Sequence, residues 1–511
     1  MDEEYDGYIT ALPFPHEYRS ESAPAHLQLA AFNQGIPFPT SRPLRYLELG
    51  YGTGISLNIH AAASPGIYWG ADVNTAHAAT ANSLAEISGS GLNALSVSFA
   101  GLLERPDLPQ FDVIVALGVW SWVSDENRQT IVQLLRRNLV EGGIFCMNSI
   151  AMPGFSELAP FQRLMRLNLK RGGTTGTIVD KLESGLDLAF ALQNSGSEFF
   201  APGSRAGRML GKLKAFNRAG LVHEYLDEHW KPALFAETAA VLDEAGLRFV
   251  GSAALWDQFD ELNFRSDARA LLASIGDPWL RETARDFLRS RHVKADLYVK
   301  RSEPLPAGPR ARPPLDRGFI LDLPAAFATT RSVATGASKL DFSEPPFGNI
   351  LDALGEEPCR PWGLAELTGK CRIGEDEAIR ATMVLVDEGV VHLTQPPARI
   401  EEAAAACNRL NGEILRRSLT EDRIHALASP VTGGGVRVSR LEQLFLLALR
   451  QGARSPDEWA RFACSVVGRD DANRGLESSD DPPTTITILK EALYFAQRLP
   501  QFVALKLAEG T

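Results

Sequence analysis

The sequence predicts an α/β fold: a doubly wound, Rossmann-like sheet of seven strands with a helical insertion, followed by a mainly helical C-terminal region containing a winged-helix-like module. Three observations predict it. Strand-like and helix-like patterns alternate through the first third of the chain, which argues for a parallel sheet covered by helices on both faces. Residues 44–49 read as a strand that runs into Gly50-Tyr51-Gly52-Thr53-Gly54, a glycine-rich turn preceded by the acid Glu48. The next strand-like stretch, 67–71, ends in a carboxylate, Asp72.

The elements follow in order. Candidate strands are 44–49, 67–71, 95–99, 111–116 and 143–149, with helical patterns between them, such as 128–139. The sixth and seventh strands are delayed. A helical pattern over 233–245 leads into a sixth strand at 246–251, and 294–300 reads as an antiparallel seventh. Residues 155–230 are then an insertion after strand five, placed over the mouth of the ligand cleft, where loops of such sheets carry function. The expected divisions are a core at 1–154, the insertion and the end of the sheet at 155–302, a linker at 303–343, the winged-helix-like module at 344–395 and a helical region at 396–511. Five prolines within 303–318 mark the linker. In the module, short helices fit 364–368 and 379–388. Gly389 ends the second, and a short strand follows at 390–393. The acidic run Glu375-Asp376-Glu377, read as lying before the second helix, favours packing over DNA binding. Gly433-Gly434-Gly435 and the polar stretch 469–484 interrupt the last region.

Composition bounds the function. The 511 residues suffice for two to four domains, and an apolar fraction of 45% with 23% charged residues is ordinary for a globular chain. A net charge of -11 disfavours nucleic acid as a partner. The local basic residues Arg163, Arg166, Lys170 and Arg171, and then Arg205, Arg208, Lys212, Lys214 and Arg218, read as solvated helix faces. Five scattered cysteines without a C-x-x-C pair predict neither a zinc site nor a disulfide framework, so no metal is expected. The acidic N-terminus lacks a signal-peptide profile, and the apolar run 111–123 is too short for a membrane span. The expectation is a cytoplasmic protein.

The glycine spacing separates cofactor classes. A nicotinamide or flavin fingerprint of the G-x-G-x-x-G/A type needs a small residue at position 55, which is Ile. Alternating glycines after an upstream acid are instead similar to the pattern of class I S-adenosylmethionine (SAM) methyltransferases, in which the acid ending strand two accepts hydrogen bonds from ribose hydroxyls. The exit of strand four, Leu117-Gly118-Val119-Trp120-Ser121-Trp122-Val123, is expected beside the reacting sulfonium. Trp120 and Trp122 either wall an acceptor channel or pack in the core. Residues 99–103, including Gly101 and Leu102, are expected against the adenine. Methyl transfer needs alignment and dryness more than one obligatory side chain, and no catalytic residue is singled out.

The chain further resembles bacterial class I methyltransferases carrying a methyltransferase regulatory domain, a group that includes protein-lysine methyltransferases. The matching stretches are Tyr5-Asp6, Pro13-Phe14 and Pro24, Leu47-Glu48-Leu49-Gly50, Gly118-Val119-Trp120-Ser121-Trp122-Val123, Pro153-Gly154, and above all Val222-His223-Glu224-Tyr225-Leu226-Asp227-Glu228-His229-Trp230-Lys231-Pro232. The resemblance implies SAM binding around Glu48, Gly50, Tyr51, Gly52, Gly54, Asp72, Val73 and the turn Leu117, Gly118 and Val119. It places Asn148, His223, Glu224, Tyr225 and Trp230 on the acceptor side. Leu117, Tyr51 and Asn148-Ser149-Ile150 depart from the usual residues of the group. A protein amino group is the expected acceptor. A small molecule or saccharide is the alternative, as is a SAM-binding scaffold with a degenerate site. A homodimer is compatible with the sequence.

Overall fold

The computed structural model describes residues 4–39, 43–301, 311–473 and 484–509. Seven strands form one mixed sheet: β1 (Leu44–Leu49), β2 (Gly66–Asp72), β3 (Asn93–Ser96), β4 (Phe111–Ala116), β5 (Leu139–Ile150), β6 (Leu247–Ser252) and β7 (Val293–Lys300). Their order is β3-β2-β1-β4-β5-β7-β6. All neighbours run parallel except at β7, which is antiparallel to both β5 and β6. The order reverses between β1 and β4, the switch point where ligands bind beyond the strand ends.

The central strands are buried on both faces, as a doubly wound sheet requires. The helices α1 (Pro24–Asn33), α2 (Ile55–Ala63), α3 (Thr75–Ser88), α4 (Phe99–Leu103) and α5 (Asp125–Asn138) cover the sheet. Strand three is shorter than its apolar pattern suggests. It stops at Ser96, because Ser98 caps α4 by accepting from the Gly101 N–H at 3.1 Å. Phe99 therefore starts a helix rather than ending a strand.

After β5 come α6 (Ala159–Arg171), α7 (Ile178–Asn194), α8 (Arg205–Leu213) and α9 (Arg218–Tyr225), which share a core of their own around Phe161, Leu182 and Leu210. α10 (Phe235–Asp243) then leads back into β6, and α11 (Pro278–Arg289) precedes β7. Three of the basic residues in the insertion are neutralised locally. Arg166 bonds Glu4 at 2.8 Å and Glu228 at 2.6 Å, Lys170 bonds Glu228 at 2.6 Å, and Arg218 pairs with Glu183 at 2.5 Å.

Residues 302–310, the first half of the proline-rich stretch 303–318, lie outside the described residues. Beyond them, Arg312 bonds Asn33 and Asp376. The strand β8 (Gly318–Leu321) pairs antiparallel with β9 (Trp362–Gly363) and β10 (Val391–Leu393). Three helices pack beside this small sheet: α12 (Phe347–Glu356), α13 (Leu364–Cys371) and α14 (Glu375–Asp387). Glu375, Asp376 and Glu377 form the first turn of α14 instead of preceding it; the helix dipole favours acids there. Next come α15 (Pro397–Arg417), the hairpin β11 (Ala426–Ser429) and β12 (Gly434–Arg437), and α16 (Arg440–Arg450), α17 (Pro456–Asn473) and α18 (Thr485–Ala504). The three glycines at 433–435 thus turn a hairpin. Of the polar stretch 469–484, residues 474–483 lie outside the described residues.

The C-terminal half is bound closely to the sheet layer. α15 packs on α2 and α3, and one apolar cluster unites Ile55, Ile59 and Leu84 with Cys407, Leu410 and Val436. Gln395 Nε2 donates to the Ala63 carbonyl at 2.7 Å, and the Arg409 guanidinium caps the Ser88 carbonyl at the end of α3. Among the described residues, no helix is long and apolar enough to cross a membrane.

Candidate active site

A cavity of about 420 Å³ opens at the carboxyl ends of β1, β2 and β4. Its floor is the glycine turn. Gly50, Gly52 and Gly54 all have positive φ, at 66°, 56° and 74°, but they serve different ends. A Cβ on Gly50 would sit 2.5 Å from Val119, and one on Gly54 would sit 2.6 Å from the Ala81 Cβ, so these two glycines permit close packing. A Cβ on Gly52 would meet nothing nearer than Phe14 at 3.7 Å and would project towards the cavity. Gly52 is the point at which the backbone itself is offered to a ligand.

Asp72 ends β2 and organises this floor. Its Oδ2 accepts from the Gly52 N–H at 2.9 Å, and its Oδ1 accepts from the Asn74 N–H at 2.9 Å. His77 completes the arrangement. Its Nε2 accepts from the Phe14 N–H at 2.9 Å, so its Nδ1 carries the proton and donates to Asp72 Oδ1 at 3.0 Å. Glu48, one strand over, is 5% exposed, and its Oε2 has no hydrogen-bond partner. Burial pushes its carboxyl up to about 8, against the pull of Arg19.

The turn after β4 forms one wall. Gly118 has φ 74°, and its N–H donates to Asn148 Oδ1 at 2.6 Å, which fixes the exits of β4 and β5 against each other. Leu117, Val119, Trp122 and Asn148 line the cavity, as do Tyr51 and Val73. Tyr51 is held by its hydroxyl, which donates to the Leu95 carbonyl at 3.0 Å.

The opposite wall comes from α9. His223 and Glu224 line the cavity beside Gly220. The His223 ring stacks on Tyr8 at 5.3 Å and packs against Phe14 at 5.3 Å. Burial holds it neutral, lowering its pKa to about 4. The Trp230 indole donates to Glu224 Oε1 at 2.9 Å, and burial raises the Glu224 carboxyl above its ordinary range.

Other expected residues lie elsewhere. Trp120 is buried in the core behind the wall, and its carbonyl takes the Arg128 Nε. Leu102, on the inner face of α4, is fully buried and Gly101 is bound into the Ser98 cap, so Val97, Ser98 and Phe99 line the cavity in their place. Gly54 supports the turn from behind. Tyr225 packs on Phe161 inside the insertion, and Trp230 acts through Glu224.

Sequence reasoning did not foresee the roof. Residues 5–19 pass over the cleft and contribute Tyr5, Asp6, Tyr8, Phe14, Glu17 and Arg19. A short hairpin, Glu4–Tyr5 with Tyr8–Ile9, starts this segment. Asp6 is anchored by Asn127 at 2.6 Å and Ser124 at 3.0 Å. The segment has no periodicity; its aromatic and proline content, with two motif-like pairs, was the one available signal.

The cavity suits a SAM-sized ligand. It has a Cβ-free backbone cradle at Gly52, the Asp72 carboxylate and the Glu48 carboxyl for hydroxyl or ammonium groups, and the cation Arg19 for a carboxylate. When bound, SAM supplies an electrophilic methyl group on a sulfonium.

Comparison with known proteins agrees. Residues 47–147 match the model of a methyltransferase domain, and residues 217–300 match that of a predicted methyltransferase regulatory domain. The chain is a SAM-dependent methyltransferase. Over 455 residues, 88% of its length and 89% of the relative's, the methyltransferase is 29% identical to an uncharacterised protein of Synechocystis sp.. A second uncharacterised relative, from Rickettsia prowazekii, is 26% identical over 222 residues, 42% of this chain and 86% of that protein. Among solved structures, the methyltransferase is similar to PKMT2 from Rickettsia typhi in complex with AdoHcy, with a TM-score of 0.67 and 17% identity, covering 96% of this chain and 99% of that one. The regulatory-domain match begins at Asn217, the cap of α9, so the matched region includes the helix that carries His223 and Glu224.

Proposed function

We propose that this methyltransferase transfers the methyl group of SAM to an amino group of a protein, most simply a lysine side chain. The observation that carries the reading is the composition of the cavity's roof and side walls above the glycine turn. Tyr8, Phe14 and Trp122 give it aromatic faces, and Asp6 and Glu224 give it carboxylates. Aromatic faces attract a cation and not a neutral hydroxyl, and a carboxylate pairs more strongly with an ammonium than with a hydroxyl. The full-length likeness in fold to PKMT2, a protein-lysine methyltransferase, supports the same acceptor class. The large C-terminal half suits a macromolecular acceptor better than a metabolite. We read the expected module at 344–395, joined by β8 (Gly318–Leu321) from within the expected linker, as a winged-helix-like packing module, since the first turn of α14 is acidic, with Glu375 and Asp376 exposed.

The chain's own residues position and exclude. Asp72 and the Gly52 N–H hold the floor, Asn148 fixes the Gly118 turn, and the roof of residues 5–19 keeps water from the reacting centre. The test is transfer of radiolabelled methyl from SAM to intact bacterial proteins, with the label located by mass spectrometry. Label on lysine is the expected result; label on a metabolite alone overturns the reading. Asp72→Asn serves as the cofactor control. By loosening the Gly52 contact it should weaken SAM binding about tenfold or more, read by titration calorimetry.

A further inference from the structure

A lysine acceptor reaches the cavity as an ammonium and must be deprotonated there. An ammonium has no lone pair, so an amine must lose a proton before it can accept a methyl group. Among the cavity-lining residues, Glu224 is placed and held for this step. One indole fixes its carboxylate, Trp230 Nε1–H donating to Oε1 at 2.9 Å, and the Trp122 indole on the cavity wall is a second donor near enough to favour the charged form. Neither donor can take a proton from it, because an indole has no acceptor nitrogen. The neighbouring His223 is fixed as a tautomer. Its Nε2–H donates to the Leu12 carbonyl at 3.0 Å, and its Nδ1 lone pair is buried without a partner.

We propose that Glu224 is the proton acceptor for the incoming ammonium, with His223, a fixed neutral ring packed on Tyr8 and Phe14, as the rigid wall beside it. The proposal rests on the amine-acceptor reading above. The proton passes from R–NH₃⁺ to the Glu224 carboxylate, giving R–NH₂ and a carboxylic acid. The nitrogen lone pair then forms the N–C bond as the C–S pair leaves on sulfur. Glu224 returns its proton to solvent when product departs, so atoms and charge balance. Burial favours the exchange from both sides, since a dry cavity raises a carboxyl and lowers an ammonium. The titratable groups near Glu224 are His223 and Tyr225 on its own helix and Asp227 just beyond it, and Tyr8 and Asp6 line the same cavity from the roof.

The experiment uses the full chain, poly-L-lysine as acceptor and tritiated SAM, with kcat/KM followed from about pH 6 to pH 10. Glu224→Gln keeps the shape and an acceptor oxygen for Trp230. We expect SAM affinity within about threefold of wild type, a loss of about a hundredfold in kcat/KM at neutral pH, and partial rescue as rising pH deprotonates the acceptor unaided. Trp230→Phe is the second variant. It removes a donor that stabilises the carboxylate, so the acid limb of the profile moves to higher pH while the alkaline plateau is kept. If Glu224→Gln matches wild type at every pH, or if Trp230→Phe leaves the acid limb in place, the assignment of Glu224 is overturned while lysine transfer stands. If the wild-type chain labels no lysine, the acceptor reading falls and the assignment falls with it.

Discussion

Asp72 and Glu48 lie at the ends of adjacent strands, but only Asp72 is satisfied. Asp72 receives two backbone N–H groups and the His77 ring, whereas Glu48 leaves an oxygen buried and unpartnered. A lone buried carboxyl is costly when ionised. The unfolded chain releases this proton near the ordinary glutamate pKa, but the folded protein retains it up to about 8. Between those values the unfolded state binds fewer protons, so stability falls as pH rises, and the loss is complete above about pH 8. Glu48→Gln should therefore raise the melting temperature of the ligand-free protein by several degrees at pH 8.5 and leave it nearly unchanged at pH 4, as read by scanning fluorimetry. Part of the slope will remain, because burial also lifts Asp227 to about 8.

At the scale of the element, the three glycines of the β1 turn separate stability from binding. Gly54 is enclosed. An alanine there would put its Cβ 2.6 Å from that of Ala81, in a left-handed conformation, and something must move. Gly54→Ala should cost about 2–4 kcal/mol of stability in urea unfolding, from overpacking together with backbone strain. Gly52→Ala meets open space and should cost only the backbone strain, about 1–2 kcal/mol. Because the new methyl would enter the cofactor floor, Gly52→Ala should weaken SAM binding at least tenfold in calorimetry. Equal effects of the two substitutions on binding would contradict this division. The sequence carried this turn to the residue, because a glycine pattern after a strand is local chemistry. It did not distinguish the glycine that faces a ligand from the two that face Ala81 and Val119, since those neighbours come from other elements.

For the whole molecule, the apolar faces of α2 and α3 are covered by α15 and the β11–β12 hairpin. Tyr18 ties the same hairpin to the roof, its hydroxyl accepting from the Gly435 N–H at 2.6 Å. Behind it, Arg498 lies between Asp322 at 2.6 Å and Glu442 at 2.7 Å, with all three side chains buried. A chain cut after residue 301 should therefore expose a core-sized apolar surface and be recovered aggregated or dye-binding, with the full-length chain as the soluble control. In the intact protein, Arg498→Met should cost about 3–5 kcal/mol in chemical unfolding, because it strands two buried carboxylates.

The sequence by itself determined the seven strands, the glycine turn with Glu48 and Asp72, and the delayed return of the chain to β6 and β7. Each of these is written in local periodicity or in a residue type that only one backbone conformation accommodates. Tertiary structure decided the rest. It brought the unpatterned residues 5–19 over the cleft, sent Trp120 into the core and Trp122 to the wall, and set Glu224 of α9 across from a turn more than 150 residues earlier in the chain. Those placements depend on which faces of distant elements bury each other, and a linear pattern of apolar and polar residues does not encode that pairing.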